Sequence, residues 1–161
     1  MSITLQRTAL LVAVTIAGCS SAPKFAEVGG AAPAFQLSRI TSNGSVLTSD
    51  SLRGKPVVIN FWSTTCAVCV GEIEDLNRLQ TEHGLRVIGI ALDEDADRVR
   101  ELAAEKGIKY DLLMGTPEVF EQFDGYAIPH TVVISEDQIV RSMVVGRINP
   151  DDILNASGIQ V

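Results

Sequence analysis

The sequence predicts an α/β domain in which a central mixed sheet is flanked by helices. Three observations lead there. Short β-branched runs alternate with segments of helical period. A Cys-x-x-Cys pair, Cys66 and Cys69, sits where one such run, with Val57, Val58, Ile59 and Phe61, hands over to a helix. Late in the chain, two apolar runs flank Ser135-Glu136-Asp137-Gln138 as a hairpin would, which makes the sheet mixed rather than purely parallel.

The chain has 161 residues, of which 46% are hydrophobic and 20% charged, enough for one domain with a proper core. Its formal net charge of −7 argues against nucleic acid as a partner. Arg7 precedes the weakly polar to apolar run Thr8 to Ala17, far short of the ~20 residues that a membrane span needs. The run fits the apolar region of a signal peptide. It ends in Ile16-Ala17-Gly18-Cys19, and small residues before a cysteine resemble a bacterial lipobox. That resemblance implies a lipoprotein signal peptide over 1–18, thioether lipidation of Cys19, and a lipid anchor facing the periplasm or another extracytoplasmic space. With Cys19 lipidated, one thiol pair remains, which suits a disulfide-permissive compartment. Residues 19–31, small and polar with Gly29-Gly30, read as a tether, and 32–161 as the folded domain.

Within that domain, Phe35-Gln36-Leu37 and Val46-Leu47-Thr48 flank Ser42-Asn43-Gly44, a hairpin signal. Asp50 to Gly54 is a short helical turn or loop. Val57, Val58, Ile59 and Phe61, behind the Gly54-Lys55-Pro56 breaker, predict a buried strand. After Cys69, the spacing of Ile73, Leu76 and Leu79 predicts a helix that stops at His83-Gly84. Leu85 to Leu92 is a near-continuous apolar run, typical of a buried parallel strand. Asp93 to Asp97 reads as the solvated, capping start of a helix that carries Val99, Leu102 and Ala103 and stops at Gly107. Tyr110 to Met114 is a short strand, and Pro117 to Phe123 a short helix with proline in its first turn. Thr131 to Ile134 and Ile139 to Val145 form the late hairpin. Asn149-Pro150-Asp151 opens a last helix with Ile153 and Leu154.

The position of the cysteines has chemical meaning. Unpaired backbone N–H groups at a helix start favour a thiolate over a thiol, so Cys66 is the expected nucleophile. Cys69, one turn on, is placed to resolve a mixed disulfide. The bland alternative is half of a zinc site. The other candidate ligands, Cys19, His83 and His130, are too scattered to complete it.

The order of elements, together with Asn60-Phe61-Trp62-x3-Cys66-x2-Cys69 and the later Ile128-Pro129, is similar to the thioredoxin-like fold with an N-terminal hairpin and an inserted strand and helix. It resembles the TlpA/ResA group of membrane-tethered thiol-disulfide oxidoreductases over about residues 32 to 155. The resemblance implies a redox-active disulfide between Cys66 and Cys69 and a cis peptide at Pro129 facing it. It implies that the backbone of Ile128 pairs with a substrate strand and that Trp62 packs beside the site, so that Trp62, Ile128, Pro129 and His130 are the expected substrate-binding residues. It also implies a buried Glu72 that manages the protons of the cysteine pair, where a solvated helix glutamate is the plain alternative. Asn60 stands where thioredoxin itself has a buried aspartate. Ala67-Val68 replaces a dipeptide that usually ends in proline, and Thr65 stands where tryptophan is common. His130 replaces the usual threonine after the cis-proline; its imidazole either acts on a thiolate and binds substrate or points into the sheet, and the sequence leaves both open.

The expected activity is reduction of protein disulfides without a cofactor, with a membrane thiol donor supplying electrons. The resemblance extends to cytochrome c maturation. The alternative is a copper-binding chaperone that uses Cys66, Cys69 and His130, a donor set soft enough for copper. A peroxidase is disfavoured, because Ser63-Thr64-Thr65-Cys66 lacks the threonine of a Thr-x-x-Cys loop and the Cys-x-x-Cys pair suits disulfide exchange.

Overall fold

The computed structural model describes residues 25–40 and 44–159; the leader, Cys19 and the turn residues Ser42 and Asn43 lie outside them. Strands β1 (Gln36–Ser38) and β2 (Val46–Thr48) pair as an antiparallel hairpin, followed by a 3-10 turn over Ser49–Leu52. The main sheet is built around β3 (Val57–Trp62), every residue of which is buried. β4 (Arg86–Ala91) runs parallel to it on one side, with β5 (Asp111–Met114) parallel beyond. β6 (His130–Ile134) and β7 (Val140–Val145) lie antiparallel on the other side, so the order is β5-β4-β3-β6-β7. A run of β-branched and aromatic residues with no polar face suits only such a central position, covered on both sides.

Side-chain alternation along β3 divides the core in two. Val57, Ile59 and Phe61, with Val132 and Ile134 of β6, face Leu37, Leu47 and Leu52 and, from α4 (Pro117–Gln122) and its end, Val119 and Phe123. Val58 and Trp62, with Val133, face the opposite layer. That layer is built from α1 (Ala67–Gly71), α2 (Ile73–Thr81), α3 (Ala96–Lys106) and α5 (Pro150–Ser157), through Cys69, Leu76, Leu79, Val99 and Leu154. Helix starts and stops follow local chemistry: Asp95, Thr116 and Asn149 cap α3, α4 and α5, and Gly107 closes α3 in the left-handed region. Among the described residues no helix is long and apolar enough to cross a membrane.

Two expectations are corrected. The helix after Cys66 is not continuous. It breaks at Glu72, whose backbone (φ −104°, ψ 1°) ends α1 and starts α2. Gly71 weakens the helix just before this point, and Glu72 turns its side chain into the core. The tether boundary also moves. Residues 26–31 are packed rather than free: Ala26 is buried and donates its N–H to Gln122 O at 2.6 Å. Gly29 N–H donates to Val140 O at 2.8 Å, and Ala31 bridges Ile139. The same segment then crosses to the other border of the sheet, where Arg39 bridges Leu113 and Ile40 N–H donates to Leu112 O at 2.8 Å. Both outer strands are thereby partly covered, which shortens their open pairing edges.

Gly89 on β4 lies opposite Asn60 of β3 and leaves room for the side chains of its own layer. A Cβ there would meet Leu112 Cδ2 at 2.7 Å, Tyr110 Cε2 at 2.9 Å and Trp62 Nε1 at 3.2 Å. Gly89→Ala is therefore expected to destabilise the domain by about 1–3 kcal/mol through overpacking. Urea unfolding would show this as a lower midpoint with unchanged slope; an unchanged midpoint would mean that the layer yields freely.

Candidate active site

The chain leaves β3 at Trp62, crosses Ser63 to Thr65, and enters α1 at Cys66. Cys66 N–H donates to Ser63 O at 3.2 Å, closing a tight turn. Cys66 is the N-cap of α1, with extended backbone (φ −90°, ψ 103°), and its Sγ accepts the Cys69 N–H at 3.2 Å. The two sulfurs are joined in a disulfide, with their Cα atoms 5.2 Å apart. Their surroundings differ. Cys69 is 1% exposed within the α-helical layer, whereas Cys66 is partly open to solvent and is followed by the exposed Ala67 and Val68.

Glu72, whose N–H donates to Cys69 O at 3.3 Å, is fully buried. Asn60 Nδ2 donates to Glu72 Oε1 at 2.9 Å and, with its second hydrogen, to Thr131 Oγ1 at 3.0 Å. Ile148 N–H donates to Glu72 Oε2 at 3.2 Å. Loss of water raises the Glu72 pKa above the ordinary carboxylate value. The hydrogen bonds from Ile148 and Asn60 and the nearby Arg147 charge pull the other way without cancelling that effect, and the Asp75 charge adds to it. Tyr110 is also pushed upward, first by burial and then by the negative charge of Glu72. Trp62 lies in the same layer, 1% exposed, and its Nε1 has no hydrogen-bond partner. It belongs to the same buried cluster as Cys69. With its ring enclosed, it has no surface to offer a substrate, contrary to the binding role expected from sequence.

The Ile128–Pro129 peptide is cis. β6 starts at His130, directly opposite Phe61, so Pro129 stands beside the end of β3 from which the cysteine turn departs. Ile128 is half-buried and packs against both core layers, while Pro129 is buried and its carbonyl accepts the Gly146 N–H at 2.8 Å. His130 goes the other way. Paired with Phe61, it shares that residue's face of the sheet, and its Nε2 donates to Phe123 O at 2.9 Å. Its ring lies 5.9 Å from Phe61 and 6.1 Å from Phe120, with Nδ1 unpartnered. Burial lowers its pKa, against the smaller effects of the Phe123 carbonyl and Asp124. Cys66 and Cys69 belong to the opposite layer. The structure therefore does not bring Cys66, Cys69 and His130 together, and neither the copper site nor an imidazole acting on the thiolate is assembled. Among the described residues no group of three or more Cys, His, Asp or Glu side chains is placed to hold a metal ion.

The family model for Redoxin matches residues 27–157. The chain belongs to the Redoxin family. Its relatives include the thiol:disulfide interchange protein DsbE of Escherichia coli, 31% identical over 136 residues that cover 78% of this chain and 69% of that protein. The thiol-disulfide oxidoreductase ResA of Oceanobacillus iheyensis is 30% identical, covering 93% of this chain and 81% of that one. A thioredoxin-family thiol:disulfide interchange protein from Chlorobium tepidum has a solved structure that superposes with a TM-score of 0.69 at 30% identity, over 80% of this chain and 93% of that one. Within the Redoxin family this protein is a thiol-disulfide oxidoreductase of the DsbE and ResA type, with Cys66 and Cys69 as its Cys-x-x-Cys pair.

In this Redoxin-family chain, one residue beside the pair was not anticipated. Asp93, read from sequence as part of a solvated helix start, holds the cysteine turn instead. Its Oδ2 accepts Thr64 N–H at 3.0 Å, and its Oδ1 accepts the Ser63 hydroxyl at 3.4 Å and also that of Thr64. The signal was present in the strand lengths. Parallel β3 and β4 end in register at Trp62 and Ala91, which puts the residues two further along, Thr64 and Asp93, side by side.

The raised pKa of Glu72 makes a stability prediction. The folded state holds this proton more tightly than the unfolded chain does. The stability it contributes is fully present below the ordinary value of 4.5 and is lost as pH rises through the raised one. Denaturant unfolding of the oxidised protein should show stability declining over that window, with Glu72→Gln removing this component. An equal decline in both proteins would exclude Glu72 as its source.

Proposed function

We propose that this protein reduces protein disulfides outside the cytoplasm while anchored to a membrane by lipid on Cys19. The observation that carries the chemistry is the inequality of the two sulfurs. Cys66 is reachable and accepts a backbone N–H, which favours its anion, whereas Cys69 is enclosed. In the reduced protein, the Cys66 thiolate attacks one sulfur of a substrate disulfide, forming a mixed disulfide and releasing the other sulfur as a thiolate. Cys69 gives up its proton and attacks Cys66 Sγ, expelling the second substrate thiolate and leaving the Cys66–Cys69 disulfide. Two electrons pass to the substrate, and a membrane dithiol donor restores the pair by the same exchange. Glu72, three residues after Cys69 and with its pKa raised by burial, is the group we assign to take and return the Cys69 proton. The Ile128 backbone, ahead of the cis Pro129, would pair with the substrate segment.

Cys66→Ser should reduce insulin disulfides no faster than the uncatalysed reaction, and Cys69→Ser should accumulate a mixed disulfide on Cys66. Retained turnover in Cys66→Ser would overturn the assignment. A reductant also requires an equilibrium potential near or below about −270 mV, the thioredoxin value; one near about −120 mV would reverse the proposed direction.

The anchor is proposed from Ile16-Ala17-Gly18-Cys19. Cys19→Ala should abolish incorporation of labelled fatty acid and move the protein from the membrane to the soluble fraction. Unchanged labelling would exclude Cys19 as the acceptor.

A further inference from the structure

We propose that Asp93 is a positioning residue for disulfide exchange, fixing the turn that delivers Cys66 and biasing that sulfur away from its anion. The inference rests on the reading of Cys66 as the attacking sulfur. It adds a residue from a different strand to the machinery.

The argument begins with geometry. The turn from Ser63 to Cys66 has one backbone bond of its own, Cys66 N–H to Ser63 O. Its side chains mostly bond one another: Ser63 and Thr65 hydroxyls are 3.0 Å apart, and Thr65 N–H donates to Ser63 Oγ at 3.2 Å. Nothing in this set ties the turn to the sheet. Asp93 does so, receiving the Thr64 N–H with both oxygens, at 3.2 and 3.0 Å, and the hydroxyls of Thr64 and Ser63. Asp93 is itself held by the end of β4, where Leu92 N–H donates to Trp62 O at 2.9 Å. The turn is thus pinned to the rigid parallel pair β3 and β4, two residues before the reactive sulfur.

Charge supplies the second part. The Asp93 carboxylate is half-buried, and among the described residues no lysine or arginine pairs with it. Its donors are all neutral, so its negative charge stays on the turn that ends in Cys66. A thiolate forming there meets that charge, while the disulfide does not. The carboxylate therefore disfavours the reduced, ionised pair relative to the oxidised one and makes the couple a stronger reductant. The Cys69 N–H to Cys66 Sγ bond acts in the opposite sense, and the two together set the balance.

Asp93→Asn tests the charge, because the amide keeps the size and one acceptor for Thr64 N–H. Asp93→Ala removes charge and anchor together. The ionisation of Cys66 is read by iodoacetamide reactivity against pH, and the thiol-disulfide equilibrium is read against glutathione above the pH at which Cys66 ionises. Both belong to the pair alone and need no protein substrate. In Asp93→Asn the Cys66 pKa should fall by about half a unit to one unit, and the equilibrium should move about three- to ten-fold toward the dithiol. In Asp93→Ala, insulin reduction per unit of Cys66 thiolate should fall about ten-fold, and in Asp93→Asn by less. A Cys66 pKa and equilibrium constant in Asp93→Asn equal to those of the unaltered protein would overturn the proposal, and this variant carries the test if Asp93→Ala does not fold. Failure of the underlying reading has a different signature: the unaltered protein would then reduce insulin no faster than Cys66→Ser, whatever Asp93 does.

Discussion

Glu72 is an acid enclosed in an apolar layer, and three distant parts of the chain converge to satisfy it. Asn60 comes from the middle of β3, the Ile148 N–H from the segment between β7 and α5, and the third participant, Thr131, steadies Asn60 from β6. A buried carboxyl without such partners would cost several kcal/mol, so each of these elements is constrained by the same two oxygens. The helix break belongs to this constraint as well. An unbroken helix would carry Glu72 along its surface, whereas the turn between α1 and α2 lets the side chain reach the sheet.

The division of the core into two layers decides which chemistry the chain brings together. Residues paired across β3 and β6 share a face: Asn60 with Thr131 on the helical side, Phe61 with His130 on the other. The His130 imidazole among phenyl rings and the Glu72 carboxyl group bonded to Asn60 are thus kept on opposite sides of one sheet. A single position along β6 separates the two roles. His130 is a core residue of the hairpin side, bonded to the Phe123 carbonyl, and takes no part in the sulfur site.

Much of this was legible in the sequence. The strands announce themselves because β3 and β4 are covered on both faces and must be apolar throughout. The helix starts are visible because capping is local, as at Thr116 and Asn149. The cysteine pair and the proline loop are legible through spacing and family likeness. What escaped was set by contacts remote in sequence. The face of His130 depends on the register of β6, whereas the burial of Glu72, satisfied by Asn60 twelve residues away, is the one such feature that the family likeness implied. The packing of residues 26–31 depends on β7, more than a hundred residues on, and their small polar composition gave no sign of it. Acidic runs before helices are usually caps, but here the cap is Asp95, and Asp93, two residues earlier, holds the turn that follows β3.

The run from Ala26 to Ile40 touches β7 at one border of the sheet and β5 at the other. By occupying backbone groups at both flanks, this leading segment leaves the sheet fewer free groups for a foreign strand to join. Proteolytic nicking within that run would free those groups and leave the flanks open to pairing with another copy of the chain.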